Sequence, residues 1–369
     1  MNPIPAPPTR TTLPLRQVTS FLLAAWGAGV ALACGRTERL VAPATKPSFS
    51  LQFAPGGYEA ADLGTLGGPM ARAWGINERG QIVGQSETSN GETHAFLWTG
   101  TDGMIDLGTL GGAHGSAESA NDFGQVVGGS TDAADRIRAF LWTSATGMRD
   151  LGTLGGSRAV ARSVNNRGQV VGTAETGSGE FHAFLWSEGE GMRDLGALGG
   201  SFSFAWMISE NGDVVGTSTL PSGEQHGFNW TAQGGMRDVG FLTPAANVMP
   251  VGINERGQVV SWSEHPGSCD GFLWTEADGV KALGFLPGGT CSLARDINDR
   301  GQVVGQGDIG GDPEAHPFVW TLRDGMHDLG LPPGAQFAGA FAVNNQGQIV
   351  GEAGFGGVEL HVFLWTPMR

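Results

Sequence analysis

Seven positions, spaced 44 to 46 residues apart, carry unrelated side chains in otherwise similar surroundings: Trp74, Glu118, Arg162, Trp206, Val251, Arg295 and Phe341. The residue before each is small and nearly fixed: Ala73, Ala117, Ala161, Ala205, Ala294 and Ala340, with Pro250 in the fifth place. A position that varies beside one that does not is free to carry chemistry. Tryptophan stacks on a sugar or aromatic ring, and arginine grips a carboxylate through two parallel hydrogen bonds. Brought together, Trp74, Glu118, Arg162, Trp206, Arg295 and Phe341 make a candidate ligand site. The same residues also allow a structural arrangement, with Glu118 paired to Arg162 and the aromatics filling space.

Other reactive types point away from catalysis. Five of the eight histidines, His94, His182, His226, His316 and His361, recur at equivalent places, so they belong to separate units. A metal ion needs several ligands converging on it, and hydrogen bonding within each unit is the simpler expectation. No metal and no cofactor are expected. The Gly-Thr-Leu-Gly-Gly loops lack the Lys-Ser/Thr of a phosphate-binding loop and precede a strand, not a helix. His-Glu-x-x-His, Gly-x-Ser-x-Gly and acidic calcium-loop signatures are absent from the sequence. A carboxylate such as Glu118 or Glu264 beside an arginine still leaves open a hydrolase or lyase acting on extracellular polysaccharide. Most glycosidases would require two carboxylates about 5 to 10 Å apart.

The elements that hold these residues follow from a repeat. Tryptophans in Phe-x-Trp or a close relative fall at Trp98, Trp142, Trp186, Trp230, Trp274, Trp320 and Trp365. A turn glycine recurs at Gly80, Gly124, Gly168, Gly212, Gly257, Gly301 and Gly347, and Asp-Leu-Gly or a relative recurs with the same period. Each unit reads as four short strands. In the first they are Arg72 to Asn77, Gln81 to Gln85, His94 to Thr99 and Met104 to Gly108. Glycine makes up 63 of 369 residues, which disfavours helices and suits short strands joined by tight turns. Four strands per unit of about 44 residues predict an all-β, seven-bladed β-propeller of four-stranded antiparallel blades over residues 58–369. The seventh unit ends after its third strand, and an unpaired fourth-type strand, Tyr58 to Gly64, precedes the first. The N-terminal strand is therefore expected to complete the last blade and leave no open edge.

Residues 1–33 read as a secretory signal peptide: Arg10 and Arg16, an apolar run from Val18 to Ala33, then Ala31-Leu32-Ala33 before Cys34. Cleavage there is expected, with Cys34 lipidated as in a degenerate bacterial lipobox or left as the first residue of a secreted chain. Residues 34–57, rich in Pro, Ala, Ser and Thr, read as a flexible tether. With Cys34 lipidated, Cys269 and Cys291 remain, both expected on the face formed by the second-to-third and fourth-to-first strand loops. They are expected to form a disulfide in an oxidising compartment. That face also gathers His114, Arg158, Phe202, Glu264 and His265, and is the expected binding surface. The net charge is −15 with only two lysines, Lys46 and Lys281, so no basic face suits nucleic acid. Membrane contact is expected only through a lipid anchor, and the chain is expected to be a monomer.

His94-Ala95-Phe96 and His182-Ala183-Phe184, with Asn-x-x-Gly-Gln-x-Val-Gly and Asp-Leu-Gly-Thr-Leu-Gly-Gly, resemble the bacterial HAF repeat over about residues 62 to 366. The second and fifth units depart from it at Arg138 and Asp270. The resemblance implies an extracellular location; it implies neither an activity nor any catalytic residues. These readings converge on a non-catalytic binding or interaction scaffold at the cell surface, with a glycan or an extracellular protein as ligand. The alternatives are the polysaccharide-acting enzyme and a purely structural surface protein.

Overall fold

Every second strand but the fifth, where Ser261 takes the place, carries a glycine that admits no side chain. A Cβ on Gly84 would lie 1.9 Å from the carbonyl oxygen of Arg72 and 2.8 Å from the Phe96 ring; Gly172, Gly216 and Gly305 are crowded in the same way, and one on Gly351 would lie 1.8 Å from the Gly339 carbonyl oxygen. The third-strand phenylalanine fills the space that a side chain would occupy. Phe96, Phe140, Phe184, Phe228 and Phe318 are fully buried. Burying each ring stabilises the fold by about 1.5–3 kcal/mol. The computed structural model describes residues 52–54, 57–240, 247–265 and 268–368. The expected signal peptide, most of the tether, Cys34 and residues 241–246 lie outside them.

The first copy forms strands Gly67–Ile76, Ile82–Thr88, Thr93–Thr99 and Gly103–Gly108, each antiparallel to the one before. The first strand begins earlier than expected because the Gly-Gly loop itself joins the ladder. Gly67 pairs with Thr88, and a Cβ on Gly68 would meet that of Glu87 at 2.4 Å. The same up-and-down order recurs in the later copies, as in Gly155–Val164, Val170–Thr176, Phe181–Ser187 and Gly191–Asp194. The fifth copy keeps it in Asn247–Ile253, Val259–His265, Ser268–Thr275 and Gly279–Ala282.

The last copy has three strands of its own, Phe337–Val343, Ile349–Gly356 and Glu359–Pro367. Its fourth is Tyr58–Asp62, which pairs antiparallel with Glu359–Pro367, Ala60 opposite Trp365. One feature corrects the expected boundary at residue 58. Gln52–Ala54, assigned to the tether, is a strand that pairs with the far edge of Tyr58–Asp62. An outer strand exposes unpaired backbone groups, and this three-residue strand covers part of that edge.

The core lies between copies. In one cluster Val127, Leu141 and Leu151 of the second copy meet Ala161, Phe184 and Trp186 of the third. In another, Ala71, Phe96 and Trp98 of the first copy meet Val350, Val362 and Leu364 of the last. The shared face of Phe and Trp, two residues apart on a strand, therefore joins one copy to the next.

Candidate functional site

The turn between first and second strands reads Asn-x-x-Gly in six copies, with Ser209 replacing the asparagine in the fourth. Gly80 adopts φ +71°, a conformation that glycine enters without steric cost. The asparagine holds its own turn: Asn77 Oδ1 accepts the N–H groups of Arg79 and Gln81 at 3.0 and 2.9 Å. Its Nδ2 donates to the carbonyl of Asn121 in the next copy at 2.9 Å. Asn121, Asn165, Asn254 and Asn298 repeat the contact, and Asn344 donates to Asn77 at 3.1 Å.

The following residue makes a second set of links. Each backbone N–H donates to a side-chain oxygen of the next copy, in the order Glu78, Asp122, Asn166, Glu210, Glu255, Asp299, Asn345 and back to Glu78. Burial pushes the Glu78 and Glu210 carboxyls up; backbone N–H bonds oppose this and neighbouring carboxylates add to it.

These turns and the adjoining strand ends line a central cavity of about 390 Å³ that draws on all seven copies. Ile76, Val164, Ile208, Ile253, Ile297 and Val343 contribute apolar walls. Asp296 also lines it. Burial pushes its carboxyl up to about 7, although it accepts the N–H groups of Val343 and Ile297. In the second and third copies a serine stands in the equivalent place and accepts one such N–H, Ser119 from Val164 and Ser163 from Ile208, each at 3.4 Å.

The six variable residues are half-buried and fall into two groups. In one, Trp74 meets Phe341 edge-on at 5.5 Å between ring centres, and the Arg295 guanidinium lies over Phe341 at 5.4 Å. Glu352, which sequence reasoning missed, completes this group. It is 5% exposed and stands 3.6 Å from Arg72 Nε. Burial pushes the Glu352 carboxyl up and Arg295 down, and their opposite charges moderate both. In the other group Glu118 Oε2 accepts from Arg162 Nη1 at 2.6 Å, and its Oε1 accepts from Ser116 Oγ at 2.9 Å. The Arg162 guanidinium lies over Trp206 at 5.2 Å. The pairing of Glu118 with Arg162 is the structural arrangement that the sequence allowed.

The histidines bond within their sheets. His94 Nδ1 meets Asp106 at 2.8 Å, and His182, His226 and His316 bond Asp194, Asp238 and Asp328. In the second copy Arg138 takes this place, donating to Asp150 at 2.8 Å. The last pair joins the two ends of the described chain: His361 bonds Asp62 at 2.7 Å, which raises the His361 pKa.

Cys269 and Cys291 form a disulfide, Cα atoms 4.5 Å apart. They occupy a bridge between one copy's third strand and the next copy's first, where Thr93 meets His114 and Phe181 meets Phe202 elsewhere. Arg158 is exposed. Glu264 and His265 pair through the backbone with Cys269 and Ser268. No group of three or more His, Cys, Asp or Glu among the described residues is placed to hold a metal.

No family model matches the chain, and no curated protein does. Solved structures do. Selenomethionine-substituted virginiamycin B lyase from Staphylococcus aureus superposes with a TM-score of 0.58 at 10% identity, covering 84% of this chain and 99% of that one. Oligogalacturonate lyase from Vibrio parahaemolyticus gives 0.58 at 11% identity, covering 86% and 96%. An oligogalacturonate lyase in complex with manganese gives 0.57 at 11%, covering 87% and 96%. These are β-propeller proteins, and at this identity the likeness is one of fold.

Proposed function

We propose that this chain is an exported, non-catalytic recognition module built on a seven-bladed β-propeller. Tyr58–Asp62 completes the last blade, and the two sets of turn hydrogen bonds form a closed collar. The ligand is a glycan or an extracellular protein. The protein is monomeric, carried out of the cell by residues 1–33 and either released or held at the outer membrane through a lipid on Cys34. The resemblance to the HAF repeat supports the same location.

One observation carries the reading: the carboxylates of the variable ring are already committed. Glu118 is held by Arg162 and Ser116, and Glu352 is buried beside Arg72 and Arg295. A general acid or base must reach the proton it moves, and neither group is presented to a substrate. What remains is a rigid body bearing clefts on its turn face, suited to binding.

The second reading, a hydrolase or lyase acting on extracellular polysaccharide, draws support from similar structures that include oligogalacturonate lyases. One experiment separates the two. The purified chain is run through gels containing single polysaccharides, and parallel samples are assayed for new reducing ends and unsaturated products. Retardation without release is expected. Release of fragments would overturn the recognition reading, as would the absence of any retained polysaccharide together with no captured extracellular protein.

A further inference from the structure

Six of the seven turns place a hydrophilic residue two positions after the turn asparagine or serine: Arg79, Arg167, Asn211, Arg256, Arg300 and Gln346. The second turn places Phe123 there, with 70% of its surface exposed. The six sister turns show that the hairpin itself does not need an aromatic residue. Phe123 also joins none of the apolar clusters between copies. An apolar ring held in water at a position that packing does not dictate calls for another explanation.

The ring borders a cleft of about 430 Å³ between the second and third copies. Trp186 forms part of the wall, and Gln125, Asn166, Arg167 and Glu188 supply polar groups. Gly168 also lines it, and a Cβ there would stand 3.3 Å from Gln125 Oε1. Three wall residues, Trp186, Glu188 and Asn166, are fixed from the neighbouring copy. Arg149 lies over the Trp186 ring at 5.4 Å and forms a two-point pair with Glu188. Asn166 is held by Asp122, to which its Nδ2 donates at 3.0 Å. Arg167 is exposed and makes one long bond, 3.4 Å to the Asn211 carbonyl, leaving donors on its guanidinium.

A pyranose ring has one face of C–H groups and a rim of hydroxyls. An exposed phenyl ring offers a platform for the first, and an arginine, an amide and a carboxylate around it suit the second. The volume falls in the range of small-ligand sites, about 300–1,000 Å³. We infer that the cleft edged by Phe123 and Trp186 is a saccharide subsite that takes one pyranose unit of a glycan. The inference rests on the recognition-module reading and names its ligand class and place.

The test uses the full chain on an array of neutral and acidic oligosaccharides, beside Phe123→Arg. Arginine stands at this position in four sister turns, so the variant is expected to keep the parent's thermal midpoint. Phe123→Ser provides a second variant if it does not. The parent is expected to bind a pyranose-containing glycan, and the variant to lose at least about tenfold in affinity, equal to about 1.4 kcal/mol. A glycan bound equally by parent and variant would overturn the subsite while leaving the recognition module standing. A parent that binds no sugar on the array would overturn the saccharide assignment. The module itself would then be judged by capture of an extracellular protein.

Discussion

Replacing Asn344 by alanine tests whether the turn collar closes. Its side chain is 2% exposed and makes four hydrogen bonds: Oδ1 accepts the N–H groups of Gln346 and Gln348 at 3.1 and 3.0 Å, and Nδ2 donates to Gln348 Oε1 at 2.9 Å and the Asn77 carbonyl at 3.1 Å. A hydrogen bond contributes about 1 kcal/mol net, and a buried carbonyl left unpaired costs about 1–3 kcal/mol. The turn refills part of the loss with water, so the expected cost is about 3–4 kcal/mol. Asn121→Ala removes the same set, to Phe123, Gln125 and Asn165. There the partner turn belongs to the next copy along the chain, whereas Asn344 reaches back 267 residues. In a closed ring the two variants lose the same stability to within about 0.5 kcal/mol, and each unfolds in a single transition. Asn344→Ser should cost less, since Ser209 holds the fourth turn with one bond, from the Asp213 N–H at 3.2 Å. The assay is urea unfolding followed by tryptophan fluorescence. A cost near 3 kcal/mol for Asn121→Ala with under about 1 kcal/mol for Asn344→Ala would refute the reasoning.

Glu118→Ala should destabilise by about 3 kcal/mol, because it strips a half-buried guanidinium of its carboxylate, while the paired replacement Glu118→Leu/Arg162→Met should cost less; chemical unfolding of both variants checks this. The raised Asp296 pKa means that the folded state holds the proton more tightly than the unfolded state. The stabilisation is complete below about pH 4 and is lost as pH rises through about 7. Thermal midpoints of the parent should therefore fall between pH 5 and pH 9 more than those of Asp296→Asn, and equal slopes would count against a buried, titrating Asp296. The raised His361 pKa has the same sign: its contribution is full below about pH 6.5 and fades as pH rises through the folded value, so His361→Ala should flatten part of the pH profile. Reducing the Cys269–Cys291 bond, which closes a 22-residue separation, should cost about 3 kcal/mol, and an unchanged unfolding midpoint in reductant would contradict that.

The period of the sequence located nearly every strand, because Phe, Trp and the turn glycine each mark a fixed point in a unit. It misjudged the Gly-Gly loops, which read as connectors but enter the ladder: the glycines are there for close approach of Gly68 to Glu87, not for a turn alone. The pairing of Glu118 with Arg162 was legible, since opposite charges one period apart sit on adjacent copies. Glu352 was not, because it lies on the second strand and reaches Arg72 from a copy almost 300 residues away in sequence. The collar was written in the sequence all the same. The residue after each turn Asn or Ser is always Glu, Asp or Asn, the side chains with an oxygen to accept the neighbour's N–H. Phe123 is likewise visible as the one aromatic residue in a column of Arg, Asn and Gln, but only the structure shows the cleft beside it.

The closed ring is the claim on which the rest depends, and amide hydrogen exchange at Tyr58–Asp62 tests it most directly. These residues form the fourth strand of the last sheet, between Glu359–Pro367 and Gln52–Ala54, with Tyr58 and Ala60 buried and the Leu63 N–H bonded to the Val362 carbonyl at 2.9 Å. The account predicts protection equal to that of fourth strands within single copies, such as Gly191–Asp194, lost only on global unfolding. Exchange at the rate of an unstructured peptide would contradict it.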